Sequence, residues 1–165
     1  MLCDNEKEFE KIKNKTLNIL SRRMHTQKEL SQKLSRSGFE IGDIEQICIW
    51  AKEYGFIDDE EYARVYITNA INSSNYGIRR IKQALLYKGI DENIIEDIMF
   101  EFDVSEKEKL IPLAEKKLGG NFDKKNVDKT MRHFLLKGYN AADIKSAIRN
   151  VIDDFECGED DDIEI

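Results

Sequence analysis

The stretch ELSQKLSRSGFEIGDI, residues 29–44, contains Leu30, Leu34, Gly38, Phe39 and Ile44, and this spacing decides the fold because it returns twice. It recurs as Ile81, Leu85, Gly89, Ile90 and Ile95, and more loosely as Thr130, Phe134, Gly138, Tyr139 and Ile144. The glycines are 51 and then 49 residues apart. Apolar positions four apart place one face of a helix against a core. A glycine four residues later takes the left-handed backbone that closes the helix, and the bulky residue after it packs back on the last turn. Each copy therefore reads as helix, glycine stop, apolar anchor, helix, and the period of about 50 residues marks a repeat architecture.

Helix-start signals fall in the same register. Thr26 and Glu29 form a capping box ahead of Leu30 and Leu34. Asp58 caps a helix over about residues 59–73, with Tyr62, Ala63, Tyr66, Ile67 and Ala70 inward. Asp91 and Asn140 stand two residues after their glycines, ahead of the third helix of each copy. Ser105 and Glu108 make another box, and Pro112 inside that run predicts a kink or a late start near Ile111. A charged leading helix over about residues 7–22 precedes the first copy, and Gly119 and Gly120 make a turn. The expectation is all-α: three tandem three-helix repeats in an elongated curved array. They are divided as residues 1–55, 56–103 and 104–152, with an acidic tail over residues 153–165.

The 165 residues carry a net charge of −7, but that charge is unevenly spread. The tail holds eight acids and no base, leaving 25 acids against 26 bases in the body. Such a tail buries no core and is expected to be disordered apart from continuation of the last helix, free to cover a basic surface. Residues 62–90 contain no Asp or Glu but carry Arg64, Arg79, Arg80, Lys82 and Lys88. That asymmetry suits contact with nucleic acid or with an acidic protein surface. Ile78, Ile81 and Leu85 share one helix face, so Arg79, Arg80 and Gln83 project from the other. Guanidinium groups bind carboxylate or phosphate in bidentate fashion, which makes this arginine pair the leading candidate site. Arg22 and Arg23 form a second pair in the first copy. Tyr62 and Tyr66, one turn apart, are read as core and not as stacking platforms.

Other chemistry finds little footing. Cys3, Cys48 and Cys157 show no metal-ligand spacing; Cys48 lies on an apolar stripe with Ile44 and Ile47 and reads as a buried thiol. His25 and His133 have no ligand-spaced partners. The acidic run Asp58, Asp59, Glu60 and Glu61 is accounted for by the dipole and free amides of a helix start. With no nucleophile triad, phosphate loop, basic-then-apolar leader or apolar run of membrane length, the chain reads as a cytoplasmic non-enzyme without metal or cofactor.

Gly55-Phe56-Ile57-Asp58-Asp59-Glu60-Glu61-Tyr62-Ala63, followed by Gly77-Ile78-Arg79-Arg80-Ile81, Leu85 and Lys88-Gly89-Ile90, resembles the RecX family of recombination regulators. Leu20-Ser21-Arg22-Arg23, Glu29-Leu30, Lys33-Leu34 and Gly38-Phe39 resemble that family's opening, and the likeness covers about residues 16–152. The resemblance implies a monomeric, non-catalytic protein of three three-helix repeats. Such a protein binds the RecA filament groove and restrains strand exchange, ATPase and co-protease activities. Arg79, Arg80, Lys82, Gln83, Lys88, Arg64, Arg22 and Arg23 are the candidate contacts. Most family members carry a more basic first helix in the second copy; here residues 68–74 lack arginine and lysine, so DNA contact is expected to be weak. The alternative from the residues alone is a sequence-independent nucleic-acid-binding helical repeat.

Overall fold

The computed structural model describes residues 2–73, 76–102 and 106–159. Nine α-helices and no strand occur among them. They are α1 (Leu2–Leu20), α2 (Gln27–Arg36), α3 (Ile41–Glu53), α4 (Asp59–Ser73), α5 (Ile78–Tyr87), α6 (Glu92–Glu101), α7 (Glu106–Leu118), α8 (Lys124–Leu136) and α9 (Ala141–Glu159). The fold is an all-α helical repeat, and its apolar repeat positions are core positions except Phe39, which is half-buried against the first core. Leu30, Leu34, Ile44, Ile81, Leu85, Ile90, Ile95, Thr130, Phe134, Tyr139 and Ile144 are all buried, each fully buried Leu or Ile contributing about 1.5–3 kcal/mol.

The three helix stops share one geometry. Gly38, Gly89 and Gly138 have φ of +88°, +85° and +90°. The next residue's N–H donates to the carbonyl five residues back: Phe39 to Leu34 at 3.4 Å, Ile90 to Leu85 at 3.1 Å and Tyr139 to Phe134 at 3.1 Å. These bonds satisfy carbonyls that the ended helix leaves open. The starts follow as well. Asp58 accepts from the Glu61 N–H (2.9 Å), Asp91 from Asn93 (2.9 Å) and Asn140 from Ala142 (2.9 Å).

Three expectations need correction. Thr26 does cap α2 through the Glu29 N–H (3.2 Å), but Glu29 does not close the box, because its carboxylate is taken by Arg23 and Lys88. The leading helix runs over Leu2–Leu20, since no breaker precedes Lys7 and the chain turns at Ser21. Of the two alternatives for the helix containing Pro112, the late start near Ile111 is overturned, since the helix begins at Glu106 with the proline inside it. The proline forfeits one backbone bond, and burial of Leu110, Ala114 and Leu118 on the face packed against α9 outweighs it. Ser105 lies outside the described residues. The first part of the acidic tail continues α9 through Glu159, and residues 160–165 lie outside the description.

The chain divides into two compact units: residues 1–68 with 84–98, and residues 69–83 with 99–165. The first holds a core of Ile12, Leu30, Leu34, Ile44, Ile47, Cys48, Ala51 and Ile57. The second is built on Leu110, Ala114, Leu118, Phe134, Tyr139, Ile144, Ala147, Ile148 and Val151.

The same junction occurs inside each unit, one repeat apart. In the first, the start of α2 docks on the end of α5: the Thr26 hydroxyl donates to the Lys88 carbonyl (2.8 Å) and Lys28 Nζ to the Tyr87 carbonyl (2.8 Å). Asp59 accepts from the Gln27 N–H (2.9 Å). In the second, the start of α5 docks on the end of α8: Gly77 N–H donates to the Lys137 carbonyl (2.9 Å) and Arg79 N–H to the Gly138 carbonyl (3.3 Å). Glu106 accepts from the Ile78 N–H (2.5 Å). In both, a carboxylate at the head of the next repeat holds the exposed amides of a helix start. Gly77 lies so near the backbone of Gly138 and Tyr139 that a Cβ there has no room.

Candidate partner-binding site

The structure gathers most of the candidate residues into two groups. In the second unit Arg79, Arg80 and Gln83 are exposed on α5, and with Leu135, Leu136 and Gly138 they line a shallow cleft of about 270 Å³. The close Gly77–Gly138 approach seats the start of α5 against the end of α8, and this brings the arginines beside the two leucines. The Arg80 guanidinium stacks on the Tyr76 ring, 4.1 Å from its centroid. Stacking holds the group without using its donors, so they stay available for a carboxylate or phosphate. Lys82, between the arginines and Gln83, is half-buried and engaged in a contact of its own.

The second group lies in the first unit and is committed internally. Lys88 Nζ donates to Glu29 at 2.6 Å and sits 5.3 Å from the Tyr62 ring centroid. Arg23 donates to the other Glu29 oxygen at 2.9 Å and to the Met24 carbonyl at 2.8 Å. Burial alone would raise the Glu29 carboxyl pKa, but hydrogen bonds from Lys88 and Arg23 outweigh it and hold the pKa below the ordinary value. Burial likewise opposes the charge on Lys88, yet Glu29 and Tyr62 hold its pKa above the ordinary ammonium value. Arg64 pairs with Glu60 one turn away (3.2 Å), and Arg22 stands exposed after α1.

Lys88 therefore ties α5 to α2. Lys88→Met keeps the stem and removes the ammonium; it should lower unfolding free energy by about 1–2 kcal/mol, because Glu29 loses one charged donor and keeps Arg23. Chemical denaturation measures this, and an unchanged midpoint would return Lys88 to the set available to a partner.

The remaining polar residues give no reaction centre among the described residues. Tyr62 and Tyr66 stack on each other at 6.4 Å and are half-buried, intermediate between core and platform. Cys48 is 2% exposed and burial pushes its thiol pKa up, which suits an inert core position. His25 is buried with Nδ1–H donating to the Arg23 carbonyl (2.8 Å), and burial holds its pKa down. No cluster of three metal-ligating side chains occurs among the described residues, and no described helix is long and apolar enough to cross a membrane. Tyr76, Leu135 and Leu136 are site residues that the sequence pattern did not single out. The one signal for Tyr76 was its place four residues before Arg80, and the exposed leucines matched an ordinary helix.

The described surface is that of a helical repeat presenting two exposed arginines, one stacked on a tyrosine ring, beside exposed leucines. Comparison with known proteins gives the lineage. Residues 13–48 match the model for the first three-helix domain of RecX, and residues 58–99 match that for its second three-helix domain. Regulatory protein RecX of Clostridium perfringens (strain 13 / Type A) is 36% identical over 152 residues, covering 88% of this chain and 71% of that protein. Regulatory protein RecX of Clostridioides difficile (strain 630) is 34% identical, covering 86% and 68%. The crystal structure of RecX from Lactobacillus salivarius superposes with a TM-score of 0.79 at 29% identity, covering 88% of this chain and 97% of that one. A second crystal structure of regulatory protein RecX gives 0.77 at 25% identity, covering 87% and 72%. The chain belongs to the RecX family of regulatory proteins.

Proposed function

We propose that this chain is a non-catalytic regulator that binds the RecA filament and restrains its strand-exchange, ATPase and co-protease activities. It acts as a cytoplasmic monomer without metal or cofactor. The observation that carries the reading is the exposed Arg79–Arg80 pair at the edge of a cleft shared with α8, with Arg80 held on the Tyr76 ring. Two guanidinium groups match the carboxylates of a protein groove, and the stacking of Arg80 in advance reduces the ordering cost of binding. Arg22 and Lys82 are secondary contacts in this reading, while Arg23, Arg64 and Lys88 contribute to the field of the surface. DNA contact is weak and adds to filament binding without replacing it.

The test is RecA ATPase on single-stranded DNA, titrated with wild type and with Arg79→Ala/Arg80→Ala. The double variant should need about tenfold more protein for the same inhibition. Its melting should stay near wild type, because exposed substitutions usually change stability by about 0.5 kcal/mol or less. Full inhibition by the double variant would remove the arginine pair from the interface. A nucleic-acid-binding repeat would instead bind free single strands with a steep salt dependence and leave RecA turnover untouched at high salt.

A further inference from the structure

We infer that the exposed face of α8 and the Arg79–Arg80 cleft form one docking surface for an acidic protein segment carrying an aliphatic side chain. The inference rests on the proposed regulator function and specifies the chemistry its partner must present. Lys125, Lys129, Arg132 and Leu136 follow one another at steps of four, three and four residues, so they run along one face of α8. All four are exposed. Lys124, Lys125, Asp128, Lys129 and Arg132 border a surface depression of about 580 Å³. Leu135 and Leu136 come next and open into the cleft of Arg79, Arg80 and Gln83. The rise from residue 125 to residue 136 is about 16 Å, the reach of about five residues of extended chain.

Six cations border this surface against one acid, Asp128. That charge alone suits phosphates and carboxylates equally. The leucines separate the two: Leu136 is 81% exposed and Leu135 40%, and they lie between the cations of α8 and those of α5. Surfaces for single-stranded nucleic acid interleave cations with rings on which bases stack. Here Tyr76 has a face covered by Arg80, and the apolar element is aliphatic. An aliphatic pair flanked by cations is complementary to an apolar side chain flanked by carboxylates, with the apolar contact at the centre and the charges at the rim.

The experiment compares wild type, Lys125→Ala/Lys129→Ala/Arg132→Ala, Leu136→Ser and Arg79→Ala/Arg80→Ala. Binding is measured to RecA filaments, to a labelled peptide with two leucines between runs of glutamate, and to free oligothymidylate. A variant that melts early is replaced by its Gln or Leu136→Asn counterpart. The α8 triple variant should lose about tenfold in affinity for filament and peptide. Leu136→Ser should lose about fivefold for both, with oligothymidylate binding unchanged. Wild-type binding by the triple and Leu136→Ser variants, with loss only in the arginine variant, would overturn the extended surface while leaving the regulator reading intact. Loss of oligothymidylate binding alone in the triple variant would make α8 a nucleic-acid surface and overturn the inference. If wild type fails on filaments, the regulator reading falls, and the peptide decides this inference by itself.

Discussion

Replacing Gly138 with alanine should cost about 3 kcal/mol, whereas Gly38→Ala should cost about 1 kcal/mol. The two backbones are nearly identical, with φ of +90° and +88°. An L side chain is strained at either site by about 1–3 kcal/mol, offset in part by the smaller entropy of the unfolded alanine chain. The difference lies in what surrounds them. A Cβ on Gly38 meets nothing within 4 Å, while one on Gly138 lies 2.7 Å from the Arg80 backbone nitrogen. Gly89 is intermediate: its Cβ would meet Lys28 Cδ at 2.6 Å, which can swing aside at the expense of the bond to Tyr87, and Lys28 Cβ at 2.7 Å, which clears only if the start of α2 shifts. Thermal melts of the three alanine variants should rank accordingly, with Gly138→Ala lowering Tm by about 10 °C. Gly77→Ala, which has no positive φ, should approach Gly138→Ala in cost because the same two backbones are forced apart. Equal losses at Gly38 and Gly138 would show that the α5–α8 junction carries no packing constraint.

That ranking marks how far the sequence could be read. Leu34, Gly38 and Phe39, with their counterparts Leu85, Gly89, Ile90 and Phe134, Gly138, Tyr139, declare the helix stops because the interaction closes within six residues. Asp58, Asp91 and Asn140 were legible as starts for the same reason. The junctions were not, because they bring together residues about 30 to 60 positions apart, and nothing local to Glu106 says that it reaches Ile78. Lys88 shows the same limit: its acid-free neighbourhood reads as a cation open to partners, and folding places it on Glu29, 59 residues away. Arg79 and Arg80 were legible because amphipathic spacing alone turns them outward. The exposed Leu136 was not, since exposure depends on what packs nearby.

Glu106 supplies the sharpest pH signature. The residue is 9% exposed. Burial pushes its pKa up; the N–H groups of Ile78 and Asn140 oppose that shift without cancelling it, and the charge on Asp143 adds to it. A carboxyl whose folded-state pKa exceeds its unfolded one contributes stability that is complete below the unfolded value, here about 4.5, and is lost as pH rises through the folded value. Glu106→Gln keeps an oxygen for the two N–H groups and cannot ionise. Urea unfolding should therefore find the two proteins close at pH 4.5, with wild type losing ground to the Gln variant as pH climbs, then running parallel once Glu106 is ionised. Glu106→Ala removes the acceptor and leaves two part-buried donors unpaired, which should cost about 2–3 kcal/mol at any pH in this range. Tyr139, whose phenol pKa is pushed up first by burial and then by the Glu106 charge, ionises well above this window and does not blur it. Wild type gaining on Glu106→Gln as pH rises would mean that the helix-start amides dominate. Glu106 would then resemble an ordinary N-terminal carboxylate, with the junction open to water.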